Sequence, residues 1–305
     1  MEYVLLAITV LVSGLRSVLT KIVNKGSNSS QMMRTNACVF AVAFVVILLI
    51  GIGAIPTMFE VPWWLTLVYA VCMVMAQVCL MKAVECGPVS VSYLIYACGL
   101  IITLLFGGIY YREEVNAWQI AGVALIFVSF VLSLKKENQK VNPLWVVWVL
   151  GCFLCSGLLG VWQKILGYEY PQCKVDNFMQ VSFLIMIAFS GLLVLVFARK
   201  RGSKVDESIQ RTDEKTGKTD AKSKWLRIGF VVALGACMAL VNKINTFLAG
   251  VLPAIVVFPC TGCGSILSSS LFAMLIFKEM PSRMQKFSIL AGLLGIVLIG
   301  VGAAF

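Results

Sequence analysis

The chain has 305 residues, 60% of them hydrophobic and only 13% charged, with 25 Lys and Arg against 14 Asp and Glu and no histidine. Soluble domains carry about 25% charged residues, so a soluble fold is excluded and a polytopic membrane protein is indicated. Eleven cysteines are scattered, most of them inside apolar runs where a free cysteine packs as a small hydrophobe, and no histidine is present to join them; no metal and no cofactor are expected.

About 20 apolar residues cross a bilayer. On that measure the chain reads as ten transmembrane helices, at 3–23, 34–55, 62–84, 89–110, 116–134, 143–164, 177–198, 225–249, 254–277 and 284–304. Proline or glycine marks many breaks, among them Pro62, Gly87-Pro88, Pro143, Gly250 with Pro253, and Pro281. The first apolar run starts at Tyr3 with no basic leader and no small-residue cleavage site, so no separate cleavable signal peptide is expected.

The first span holds "SGLRSVLTK" (13–21), with Thr9, Ser13, Arg16, Ser17 and Thr20 at helical spacing. A mid-bilayer arginine costs roughly 2.5 kcal/mol or more. The stripe is therefore expected to face protein or a water-filled cavity. The alternative is that Arg16 snorkels about 10 Å to the nearer headgroups. The third span contributes Gln77, and the fourth Tyr93 and Tyr96. Glu113 precedes the fifth span and reads as a helix cap, because a carboxylate favours the positive end of a helix dipole.

The sixth span contains "SGLLGVWQK" (156–164), where Trp162 is a candidate stacking wall or an interface anchor. Residues 199–224 are polar, without aromatic side chains until Trp225, and read as a flexible connector. The eighth span reads "ALVNKINTF" (239–247) and supplies Asn242 and Lys243; Lys243 too has a snorkelling alternative. The ninth carries "FPCTGCGSILSSS" (258–270), in which Pro259, Gly262 and Gly264 serve either a kink beside a cavity or close helix packing.

Basic residues are asymmetric. Loops after the odd-numbered spans, with their flanks, hold 20 Lys and Arg; the other side holds Arg112, Lys164 and Lys174. The rule that basic loops stay inside puts the odd-numbered loops in the cytoplasm and both termini outside. The net charge of +11 is thus a topological signal, and no nucleic-acid partner is expected.

The two halves repeat. Ser13, Gly14, Leu15, Val18 and Lys21 align with Ser156, Gly157, Leu158, Val161 and Lys164. "REEVNAWQIAG" (112–122) aligns with "KEMPSRMQKFS" (278–288), matching Glu113 with Glu279 and Gln119 with Gln285. The units are 1–142 and 143–305, each of five helices, and an odd number inserts the second upside down relative to the first. The fold class is an all-α polytopic membrane protein of two inverted five-helix repeats.

With ten spans, a five-helix repeat, and Glu113, Gln119 and Gly122 in an E-x5-Q-x2-G pattern, the chain resembles the EamA-like branch of the drug/metabolite transporter superfamily. In the second copy Ser288 replaces the glycine. The resemblance implies a carrier of small organic metabolites with its site between the halves. It does not imply a substrate.

Leu159 occupies the position of Arg16 in the second repeat, so the charge is not a shared scaffold requirement. No Asp or Glu lies in the middle of any span, and the mid-span charges are Arg16 and Lys243. Arginine suits a carboxylate or phosphate. The expected substrate is therefore an anionic or zwitterionic small molecule, held by Arg16, Ser13, Gln77, Tyr93, Tyr96, Trp162, Asn242 and Lys243. An enzyme is not expected, since neither histidine nor an intramembrane carboxylate offers acid–base chemistry. A flippase for a lipid-linked headgroup shares the fold and stands as the alternative. The expected partners are the substrate and membrane lipid, with the chain as a monomer or homodimer.

Overall fold

The computed structural model describes residues 1–24, 29–132, 143–200, 221–277 and 283–302. They form α1 (Glu2–Val23), α2 (Ser29–Ile50), a short 3-10 helix (Ile52–Thr57), α3 (Trp63–Cys86), α4 (Val89–Cys98), α5 (Leu100–Tyr110), α6 (Ala117–Leu132), α7 (Leu144–Glu169), α8 (Val175–Lys200), α9 (Ala221–Val251), α10 (Ala254–Phe277) and α11 (Arg283–Gly302). No strand occurs among the described residues. Eight spans are long and apolar enough to cross a bilayer, α4 and α5 together making one of them; the apolar helices 117–132 and 286–302 are shorter. The all-helical membrane fold read from the sequence is the fold observed.

Prolines start several helices where expected. Pro62 and Pro88 sit in extended backbone just before α3 and α4, since proline fixes φ and lacks the N–H that a first turn does not use. The fourth span departs from the expected single helix 89–110 by breaking at Gly99. There the Ser156 hydroxyl of α7 donates to the Tyr96 carbonyl at 2.9 Å, entering the backbone ladder. A Cβ on Gly99 would stand 2.0 Å from that hydroxyl oxygen, so only glycine admits so close an approach. The second span also ends earlier than expected, at Ile50, and the chain tightens into the 3-10 helix containing Pro56.

Packing partners exchange between the halves. α1 packs on α9 and α10, while α7 packs on α3 and on α4–α5; α2 pairs with α8, and α6 with α11. Small residues allow the close crossings, as bilayer helices require. Ser268 of α10 donates to the Val10 carbonyl of α1 at 2.8 Å, facing Gly14. Thr103 of α5 donates to the Gly157 carbonyl of α7 at 2.8 Å. Gly122 of α6 faces Gly295 of α11.

Two main apolar cores result, beside a small cluster of Met58, Val61 and Val181. One joins α2, α3, α8 and α9 through Phe40, Ile47, Leu65, Tyr69, Phe178 and Phe183. The other joins α1, α6, α9, α10 and α11 through Leu6, Ile126, Leu248, Val257 and Ile299. The expected connector lies largely outside the described residues, as does Glu279.

Candidate functional site

Arg16 sits on α1, half-buried, and no carboxylate pairs with it among the described residues. Its charge acts on the hydroxyls of Tyr69 on α3 and Tyr96 on α4, and on the Cys237 thiol of α9. The charge thus lies within electrostatic reach of groups on three other helices.

The rest of the polar stripe behaves differently from the expectation of a cavity-facing row. Thr9, Ser13, Ser17 and Thr20 donate to the backbone carbonyls of Leu5, Val10, Ser13 and Arg16, at 2.9, 2.9, 3.0 and 2.8 Å. Such back-bonding satisfies a hydroxyl within its own helix, so it no longer requires a polar surround. Ser17 is in fact exposed and Ser13 buried.

Beside Arg16 runs a buried network that the sequence reading missed in part. Tyr69 donates to Asn242 Oδ1 at 3.2 Å, and Asn242 Nδ2 donates to the Met238 carbonyl at 2.8 Å. Gln163 Nε2 donates to Thr246 Oγ1 at 3.0 Å and approaches the Tyr69 hydroxyl at 3.4 Å. Tyr69, Gln163 and Thr246 thus join Asn242 in linking α3, α7 and α9. A lone tyrosine in an apolar span gives no signal of this until its partners on other helices are known.

The remaining candidates scatter. Trp162 packs edge-on against Trp64, its ring 5.9 Å away, and its indole N–H is buried without a hydrogen-bond partner. Tyr93 is half-exposed. Gln77 accepts from Asn36 Nδ2 at 3.1 Å and opens on a separate small pocket between α2, α3 and α8, beside Met33, Phe40 and Ser190. Lys243 is ion-paired with Asp176 of α8 at 2.5 Å. Asp176 lies in the first turn of α8, and from there supplies the counter-charge that no mid-span residue offers.

The E-x5-Q-x2-G pattern resolves into two separate jobs. Asn116 and Gln119 form a reciprocal cap on α6, with Gln119 N–H on Asn116 Oδ1 at 3.0 Å and Asn116 N–H on Gln119 Oε1 at 3.2 Å. Glu113 does not cap its own helix, contrary to expectation. Arg112, in the left-handed backbone region at φ 51°, turns the chain after α5, and the Glu113 N–H returns to the Gly107 carbonyl at 3.3 Å. The Glu113 carboxylate then accepts the Ala254 N–H at 2.7 Å, capping α10 of the other half.

The same carboxylate forms an ion pair with Lys164 of α7. The basic tally places Lys164 in a loop flank, but α7 runs on to Glu169 and the lysine is fully buried within it. Its ammonium also donates to the Leu252 carbonyl at 2.9 Å. Lys164 is thus a structural cation and not a topological marker. Tyr168 donates to Glu113 at 3.3 Å and stacks on Tyr111 at 4.3 Å. Burial, and then the neighbouring Glu169 carboxylate, hold the Tyr111 phenol protonated far above its ordinary range, and it donates to Glu169 at 3.2 Å.

Further bonds between the two halves cluster at this Glu113 end. Trp64 donates to Tyr170 at 3.2 Å, Asn177 to the Thr57 carbonyl at 2.8 Å, Gln180 to the Gly51 carbonyl at 3.2 Å, and Asn116 to the Gly302 carbonyl at 2.6 Å. At the opposite, basic end, Trp145 donates to Ser92 at 2.9 Å, and Ser129 and Ser288 exchange bonds across α6 and α11.

Residues 1–135 match the model of the EamA-like transporter family, within the drug/metabolite transporter superfamily, as the sequence resemblance implied. That family is one of membrane transporters of small molecules. A solved crystal structure covers 98% of this chain and 96% of its own, with a TM-score of 0.72 at 14% identity, a likeness of fold alone. No curated protein matches the chain.

Proposed function

We propose that the protein carries a small anionic or zwitterionic metabolite, such as an amino acid or a carboxylate, across the plasma membrane by alternating access. Residues 1–142 and 143–305 act as the two inverted units, the basic end faces the cytoplasm, and both termini lie outside. The observation that carries the reading is the half-buried Arg16 guanidinium, within electrostatic reach of Tyr69 and Tyr96 and without a carboxylate partner among the described residues. A buried charge demands a counter-charge, and here a substrate anion supplies it. With Lys243 already neutralised by Asp176, Arg16 is the main anchor.

A charge-assisted contact contributes about 1.5–3 kcal/mol. Arg16→Leu, which copies Leu159, should therefore insert normally and bind its anion roughly ten- to a hundredfold more weakly. Arg16→Lys keeps the charge but loses the planar fork, and should fall between. Metabolites sorted by charge are screened by thermal shift, and hits are followed by flux into liposomes. Flux equal to the parent's in Arg16→Leu would mean that Arg16 only snorkels, and the anionic reading falls. A reporter fused after Phe305 should be active outside the cell; cytoplasmic activity reverses the orientation.

A further inference from the structure

The Glu113–Lys164 pair is costly. Burying two charges is unfavourable until their attraction and hydrogen bonds offset the lost hydration. Here the pair is arranged so that each ion also serves a backbone group of the second half. Lys164 donates to the Leu252 carbonyl at the end of α9, and Glu113 accepts from Ala254 at the start of α10. One ion pair thus ties the α5–α6 turn to α7, α9 and α10. Room for it is built in: a Cβ on Gly107 would stand 2.8 Å from Glu113 Oε2. Beside it α7 and α9 touch backbone to backbone, a Cβ on Gly167 falling 2.2 Å from Gly250 Cα. The Lys164 ammonium lies 4.8 Å from the Tyr168 ring centre, under the Tyr111–Tyr168 stack.

From this arrangement we infer that Glu113 and Lys164 are the latch of a gate, holding the α5–α6 turn, α7, α9 and α10 together at the Glu113 end of the bundle, and that the end opens only when the pair separates. The inference rests on the alternating-access reading above. The latch is oriented. Exchanging the two residues sets a carboxylate against the Leu252 carbonyl and an ammonium against the N-terminal amide of α10, so reversal does not rebuild it.

The test reads the conformation through the native Cys237 thiol, buried on α9 at the level of Arg16. A membrane-impermeant maleimide is applied from each side in turn, and modification of Cys237 is followed by peptide mass spectrometry. The parent should react slowly from the Glu113 side. Glu113→Gln with Lys164→Met removes both charges together, which buried pairs often tolerate. It should raise the rate from that side at least tenfold, with no rise from the basic side. Gly107→Ala displaces the carboxylate without removing a charge and should shift the rate the same way by less, so it decides the matter if the double variant fails to insert. The exchanged pair Glu113→Lys with Lys164→Glu should label as fast as the neutral pair. Unchanged labelling in the inserted variants overturns the latch, and slow labelling of the exchanged pair overturns its orientation. Labelling needs no substrate, so the two readings separate. Faster labelling without flux of any solute in parent liposomes sinks the transport reading and keeps the latch. Unchanged labelling with flux intact does the reverse.

Discussion

Tyr69 on α3 and Asn242 on α9 are joined by a hydrogen bond of 3.2 Å in the interior of the bundle, and the same tyrosine lies within the field of Arg16. The hydroxyl thus couples a structural network to the candidate site. Tyr69→Phe leaves Asn242 Oδ1 without its donor. An unsatisfied buried acceptor costs about 1–3 kcal/mol. The expected outcome is a lower thermal midpoint in detergent together with weaker anion binding. A midpoint equal to the parent's would show that water replaces the hydroxyl freely.

Lys243 and Arg16 should separate in their effects. Lys243 has Asp176 as its partner, so its main task is to hold α9 against α8. Asp176→Asn is expected to lower stability, and adding Lys243→Gln to restore part of it, since the second change removes the uncompensated charge. Anion affinity should fall less in Lys243→Gln than in Arg16→Leu. Equal losses would place Lys243 in contact with the substrate.

The α6 cap is predicted to matter through two partners at once. Asn116 accepts from the Gln119 N–H and donates to the Gly302 carbonyl of α11 at 2.6 Å. Loss of a cap costs about 1 kcal/mol. Asn116→Ala should exceed that, whereas Gln119→Ala, which removes only the reciprocal bond, should stay nearer it. Unfolding followed by denaturant titration in mixed micelles orders the two; the reverse order refutes the double role.

Gly167 should accept no side chain. Its Cβ would meet backbone at Gly250, which cannot swing aside as a side chain does. Overpacking of this kind costs about 1–3 kcal/mol. Gly167→Ala is therefore expected to lower the folded yield or to spread α7 from α9, read as faster labelling of Cys237 from the Glu113 side. Gly191, with nothing near its own Cβ position, should tolerate the same change.

Hydropathy and proline placement determined the spans, because the cost of exposing polar backbone to lipid is local and can be counted residue by residue. The E-x5-Q-x2-G pattern could be read along the chain, and Arg16 stood out as a charge in an apolar run. What each polar residue does was decided only by the tertiary structure. Glu113 finds its partners 51 and 141 residues away, in Lys164 and Ala254. Lys164 looks like a loop flank until α7 is seen to continue past it. Helical spacing could not tell Arg16 from the hydroxyls around it, which bond to their own helix. Periodicity states which face a residue lies on. Whether that face meets lipid, a carbonyl or an opposite charge depends on helices that the chain places beside it only when the bundle closes.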